Sequence, residues 1–381
     1  MTNQGLGASP RWRRWRRFLL RIVAACVLIV LGAAVATPTG RYIIRAAFEE
    51  GKILARRRSI VEVVGDSTVS PSVRQRLQLV LDARIFARDS LALRPEASFT
   101  TFSPLERDTL VLVLSAARRD SLAQFTWWFP VVGSVPYKGF FDFPAALREG
   151  VAMRARGLDT YIRPASAFST LGWFNDPLLS TTLRMDSLNL SNTVIHELTH
   201  NTLFVKGKVA FNESLASFVG ARGAAAFFRA RGGERAARAV EREWEDEKQL
   251  GAFWGALAHA IDSAFAAHPT DSLARVRAGE EVYRRMRGVL LSDLSPLMPT
   301  VSRAGLERMV LDNASLLARR LYASDLWLFD EVHRRCGREL RRTFSLIARL
   351  AKRAKDPFDA MKQWLTPEVG DLRTGDYACS V

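Results

Sequence analysis

The sequence predicts an α+β chain: a small mixed β-sheet carrying one chemically marked helix, then a mostly α-helical half, all behind an N-terminal transmembrane helix. Three observations predict it. Between Phe99 and Phe174, stretches such as "DTLVLVLSAA" and "QFTWWFPVVGSVPYKGFFDF" are rich in β-branched and aromatic residues with Gly and Pro punctuation. From Leu188 onward the apolar residues recur at helical intervals. The amino terminus runs from an Arg/Trp cluster into an apolar stretch.

That stretch, Ile22 to Ala36, makes about 22 Å of helix. Adding Phe18–Leu20, with Arg21 reaching toward the headgroups, brings it near the thickness of a bilayer core. The preceding Arg11, Arg13, Arg14, Arg16 and Arg17 favour a cytoplasmic amino terminus and an exported body. An uncleaved anchor is the favoured form. A signal peptide cleaved after Ala34-Val35-Ala36 and a lipoprotein modified at Cys26 are the alternatives. Expected segments are a basic cytoplasmic tail over 1–17, the anchor over 18–37 and a helical membrane-proximal region over 38–98. A sheet with its marked helix follows over 99–206, then a helical half over 207–365 and a tail over 366–381. The expected place is the bacterial inner membrane, with the body in the periplasm or outside.

Composition narrows the function. A chain of 381 residues, 48% hydrophobic, can bury a large core. The net charge of +16 would suit a nucleic-acid binder, but six of those charges are Arg11 to Arg21, leaving +10 spread over helical stretches. No nucleic-acid partner is expected. The cysteines, Cys26, Cys336 and Cys379, form no CxxC; spacing permits a Cys336–Cys379 bond without requiring one.

The helix predicted around "NTVIHELTHNTLF" (Asn192 to Phe204) carries the chemistry. Positions i and i+4 share a helix face, so His196 and His200 can bind one cation. Glu197 lies about 100° around the helix, beside that cation, where a general base belongs. Zinc lowers the pKa of a bound water from 15.7 toward about 7, within reach of a carboxylate base. A third ligand is needed. From Asn201 to Gly233 there is no His, Cys or Asp, and Glu213 in "AFNESLASFVG" is the only acid. A turn at "VKGK" would return a second helix with Glu213 alongside the histidines, leaving the fourth position open. The competing account makes His196 and His200 ordinary residues of an amphipathic helix. A metzincin arrangement is excluded, since Leu203 and Lys206 occupy its Gly and His positions.

"HELTH" followed by "FNESLASF" resembles the gluzincin arrangement of zinc peptidases, with an interval shorter than thermolysin-like peptidases use. The chain is more closely similar to a bacterial family described as putative aminopeptidases. The similarity runs through "RYIIRAAFEEGKILARRRSI", "WWFPVVGSVPYKGFF", "AFSTLGWFNDPLL", "KVAFNESLAS" and "LDNASLLARRLYASDLWLF". That resemblance implies a zincin-like fold, one Zn2+ per chain held by His196, His200 and Glu213, and peptide hydrolysis with Glu197 as base. It also makes Tyr322 the candidate to stabilise the oxyanion, gluzincins often using a tyrosine or histidine from the helical half. Family members often have cysteines where this chain has Trp128 and Ser134, and a lipoprotein cysteine nearer the tyrosine matching Tyr42 than Cys26 is. Asn212 is expected either to orient a ligand or to cap the second helix. "AFSTLGWF" is expected either to pair with extended substrate or to be a core strand. His259, His268 and His333 read as structural or exposed. The rival to the enzyme is a non-catalytic envelope protein that keeps the helix for structural metal or partner binding.

Overall fold

The computed structural model describes residues 10–129, 133–165, 177–366 and Cys379, with the backbone alone of 10–14, 26–31, 33 and 34. Two compact units divide between Ala55 and Arg56. The first holds helices α1 (Pro10–Ala36) and α2 (Pro38–Ala55). Pro38 opens α2 without leaving an N–H unsatisfied, and Thr37 Oγ1 accepts from Gly40 N at 3.1 Å. Arg41 donates to the last carbonyls of α1, Val35 O at 3.1 Å and Ala36 O at 2.8 Å. The expected anchor lies mostly in α1, where Phe18, Leu19, Leu20, Ile22 and Val23 are exposed. Among the described residues no helix is long and apolar enough to cross a membrane. The middle of the apolar run, Cys26 included, belongs to the positions whose side chains lie outside the described set.

The second unit opens with β1 (Arg58–Ser59), α3 (Ile60–Gly65) and α4 (Pro71–Asp89). The region expected to be helical over 38–98 is therefore interrupted. Arg58 and Ser59 pair antiparallel with Phe102 and Thr101 of β2 (Thr101–Ser103), a long-range bond that local periodicity does not reveal. After Asp89 the chain turns through positive φ at Ala92, Glu96 and Phe99, which no helix tolerates.

Next come β3 (Val111–Arg118), β4 (Trp127–Phe129), β5 (Gly133–Val135) and β6 (Tyr137–Phe140). Helix α5 (Phe143–Ala155) and strands β7 (Leu158–Ala165) and β8 (Leu178–Leu179) complete this part. The strands form three small sheets: β1-β2-β8, β6-β3-β7 and the hairpin β4-β5. Only β2 and β8 run parallel. One face of β6-β3-β7 is buried through Leu114, Ala116 and Phe140 against Ala146 and Met153 of α5 and against Trp127. In the hairpin Trp128 stands directly opposite Ser134.

The helical half holds α6 (Ser180–Leu183), α7 (Ser187–Thr202), α8 (Val209–Ala230), α9 (Glu234–Ala266) and α10 (Ser272–Val289). It continues with α11 (Arg303–Glu307), α12 (Asn313–Arg320), α13 (Leu326–Arg335), α14 (Leu340–Arg353) and α15 (Pro357–Leu365). The helices break at "VKGK", "RARGGER", "AAHPTDS" and "AKDPF", where Gly or Pro interrupts the helical period. Helix α9 is 33 residues and about 50 Å long. The core around α7 and α8 is built on Leu190, Val194, Ile195 and Leu198 with Phe211, Phe218, Phe227 and Phe329, all at most 2% exposed. Each such side chain contributes roughly 1.5–3 kcal/mol of burial. Asp330 of α13 accepts from Arg222, Lys248 and the Trp244 indole, tying α13 to α8 and α9. A disulfide joins Cys336 to Cys379, with Cα atoms 5.3 Å apart.

Candidate metal centre

Helix α7 starts where Asp186 accepts from Leu188 N at 2.9 Å and Asn189 N at 3.0 Å. It ends at extended Leu203, and the chain turns through Gly207 at φ 76° into α8. Asn212 fixes this turn: its Oδ1 accepts from Val205 N and its Nδ2 donates to Val205 O, both at 2.9 Å. Of the two roles expected of it, the cap falls to Lys208 instead; Asn212 grips Val205 in the turn ahead of Glu213.

The two helices approach closely because α8 is small on the facing side. A Cβ on Gly220 would stand 2.3 Å from Asn192 Oδ1, 3.1 Å from Asn192 O and 3.2 Å from His196 Cβ. Gly220→Ala should gain about 1 kcal/mol of helix propensity. It should lose about 1–3 kcal/mol to overpacking, because a backbone oxygen and a ligand's own Cβ cannot swing aside. We expect a net fall in melting temperature together with weaker zinc binding, measured by calorimetry on the purified variant. Gly255→Ala, with nothing within 4 Å of its Cβ, is the control and should be neutral or stabilising.

This approach brings the three expected ligands together. The Nε2 atoms of His196 and His200 are 3.3 Å apart. Glu213 Oε2 lies 3.5 Å from the first and 3.7 Å from the second. A point equidistant from three atoms so spaced is about 2.0 Å from each, the distance zinc takes to imidazole and carboxylate. The donor set, two borderline nitrogens and one oxygen, is also one zinc favours. Among the described residues no other group of three His, Cys, Asp or Glu converges this way. The side chains of His196, His200 and Glu213 keep 17%, 20% and 22% of their exposure, open enough to be reached yet shielded from full solvent screening.

Burial alone would raise the Glu213 carboxyl, but the hydrogen bonds to His196 and His200 outweigh it and hold its pKa at about 2. Burial would lower the His200 imidazole; the Glu213 hydrogen bond and charge, with the charge of Glu197, raise it above its ordinary value instead. Glu197 is half-buried on the same helix.

Tyr322 is near this centre. It lies past the end of α12, in a turn, and Asp325 follows at φ 48°. Burial raises its phenol above the ordinary value, the Glu213 charge adds to that, and Arg163 opposes it. Two neighbours were not foreseen: Arg163 on β7, which donates to the Tyr322 hydroxyl at 3.2 Å, and Tyr137 at the start of β6, whose phenol also senses Glu213. Alternation along "TYIRPA" groups Tyr161 with Arg163, but which face meets the helices depends on the sheet pairing. The stretch "AFSTLGWF" lies outside the described residues. His259 and His268 are exposed. His333 packs edge-on against Phe218 beside Thr343 Oγ1 at 2.8 Å, and burial pushes it down to about 4, so it is neutral and structural.

Fold and site together define a mixed α/β, mostly helical chain in which two helices bring two imidazoles and one carboxylate to a common point. The family described as "Putative aminopeptidase" matches residues 41–361, and the chain belongs to it. No curated protein and no solved structure matches the chain.

Proposed function

We propose that this chain is a zinc metallopeptidase of gluzincin type on a zincin-like fold, an aminopeptidase of the bacterial envelope. The observation that carries the reading is the spacing of His196 Nε2, His200 Nε2 and Glu213 Oε2, with Glu197 one residue from the first ligand. Bound by those three groups, zinc would polarise the scissile carbonyl and acidify the attacking water. Glu197 takes the proton of that water on its carboxylate and later delivers it to the leaving amine. Tyr322, whose phenol keeps its hydrogen, donates to the carbonyl oxygen as negative charge builds there. Asn212 and Gly220 hold the ligand geometry and touch no reactant.

The body acts outside the cytoplasm, held by the amino-terminal segment. The Arg cluster ahead of the apolar run supports that orientation. The Cys336–Cys379 disulfide supports an oxidising compartment.

The test is hydrolysis of a peptide library with free amino termini by the purified protein. Activity should vanish on chelation, return with about one equivalent of zinc and release single residues. Hydrolysis that ignores chelator would remove zinc from the account, and internal cleavage would make the enzyme an endopeptidase.

A further inference from the structure

We propose that Arg163 is a positioning residue: by donating to the Tyr322 oxygen it leaves the Tyr322 hydrogen as the one free to reach the reacting carbonyl. The inference rests on the metallopeptidase reading and adds to it a group from the β6-β3-β7 sheet.

The chemistry of the pair is one-sided. A guanidinium has five donors and no acceptor. In the contact from Arg163 Nη2 to Tyr322 Oη, 3.2 Å long, the phenol oxygen can only accept. Its own hydrogen must then go elsewhere. The Arg163 guanidinium also lies over the Tyr322 ring, 5.4 Å from its centroid, which limits swinging of the ring.

The turn holding Tyr322 is fixed from below by the helix that carries Glu213. Ser214, the next residue, accepts from Ser324 N at 3.1 Å, and Tyr322 N donates to Arg319 O at 3.1 Å. Gly251 of α9 leaves room for Ala323, whose carbonyl would stand 3.1 Å from a Cβ placed there. Glu213 and Tyr322 are therefore referenced to adjacent residues of α8.

A purely mechanical account competes with this one. Strand β7 and helix α12 also exchange the reverse pair: Arg319 Nη2 donates to Tyr161 Oη at 3.3 Å, with its guanidinium 5.3 Å from the Tyr161 ring. Both Arg–Tyr pairs could serve only to fasten strand to helix. The second pair supplies the control, because it has the same chemistry and lies one strand period away.

The experiment uses the full-length protein loaded with zinc, its metal content checked in every variant. Tyr322→Phe should lower kcat by about 100-fold or more with little change in KM, as loss of an oxyanion donor does. Arg163→Met should lower kcat by about tenfold or more, Arg163→Lys should recover most of that, and Arg163→Met with Tyr322→Phe should be no worse than Tyr322→Phe alone. Tyr161→Phe should stay within about threefold of wild type. Binding of a phosphinic peptide, tetrahedral at the reacting centre, should weaken in Arg163→Met in proportion to kcat. The inference is overturned if the Arg163 and Tyr322 effects multiply, if Tyr161→Phe matches Arg163→Met, or if phosphinic-peptide binding is unchanged. A wild type that neither hydrolyses peptides nor binds the phosphinic peptide overturns the metallopeptidase reading as well.

Discussion

Glu197→Gln is expected to leave zinc at one per chain while lowering kcat/KM by about a thousandfold, within the range general acid–base groups contribute. The amide is nearly isosteric with the carboxylate, so the packing that α7 makes through its own Leu190, Val194 and Leu198 should not change. What it removes is the basic oxygen pair beside His196. Metal analysis and steady-state kinetics on the same preparation check both halves. If the variant retains more than about a tenth of wild-type activity, proton removal lies elsewhere and Glu197 is not the base. If it loses zinc as well as activity, Glu197 is holding the centre together rather than working at it. An inactive wild type with stoichiometric zinc would favour the structural-metal rival.

The second large effect concerns Glu213. Its carboxylate lies within 3.7 Å of both imidazole nitrogens, and Glu213→Ala removes one of the three proposed ligands. Zinc affinity should fall by well over the roughly 10–100-fold seen when only a supporting partner of a ligand is lost. The pH dependence follows from the same contacts. With its pKa depressed to about 2, Glu213 stabilises the metal-free fold above its ordinary pKa of 4.5, and that stability is lost as pH falls through about 2. His200 has the opposite sign. Its contribution is complete below 6.5 and is lost as pH rises through its raised folded-state pKa. Zinc must displace the His200 proton, so affinity should climb with pH until the raised His200 pKa is passed and then level off. Glu213→Gln should flatten that climb, because the charge retaining the proton has gone. Competition titration with a chelating indicator at several pH values reads both effects. An unchanged affinity in Glu213→Ala would remove Glu213 from the centre.

Much of the centre could be read from sequence for a simple reason. His196 and His200 are tied by helical period, and Glu213 is the only acid between Asn201 and Gly233. Helix α9 and the breaks around it were equally legible, since Gly, Pro and apolar period agree there. What sequence could not supply is contact across elements. Arg163 meets Tyr322 only because β7 lies at the edge of β6-β3-β7 and α12 ends beside it. Tyr322 read as helical because "NASLLARRLYASD" keeps helical period past Arg320, whereas Asp325 in a left-handed conformation and the Ser324–Ser214 bond turn the chain. Asn212 offered a ligand-orienting group or a helix cap, and Gly220 carried no signal of its own. Their roles exist only once α7 and α8 are packed, where one grips Val205 and the other admits Asn192. Strand β1 was hidden for the same reason, its partner being Phe102 more than forty residues away.

Anomalous diffraction at the zinc edge, from crystals of the full chain grown with one equivalent of zinc, tests the central claim most directly. The account predicts a single peak equidistant from His196 Nε2, His200 Nε2 and the Glu213 carboxylate, with the side toward Glu197 and Tyr322 open. A peak elsewhere, none at all, or one at the histidines with Glu213 turned away would contradict it.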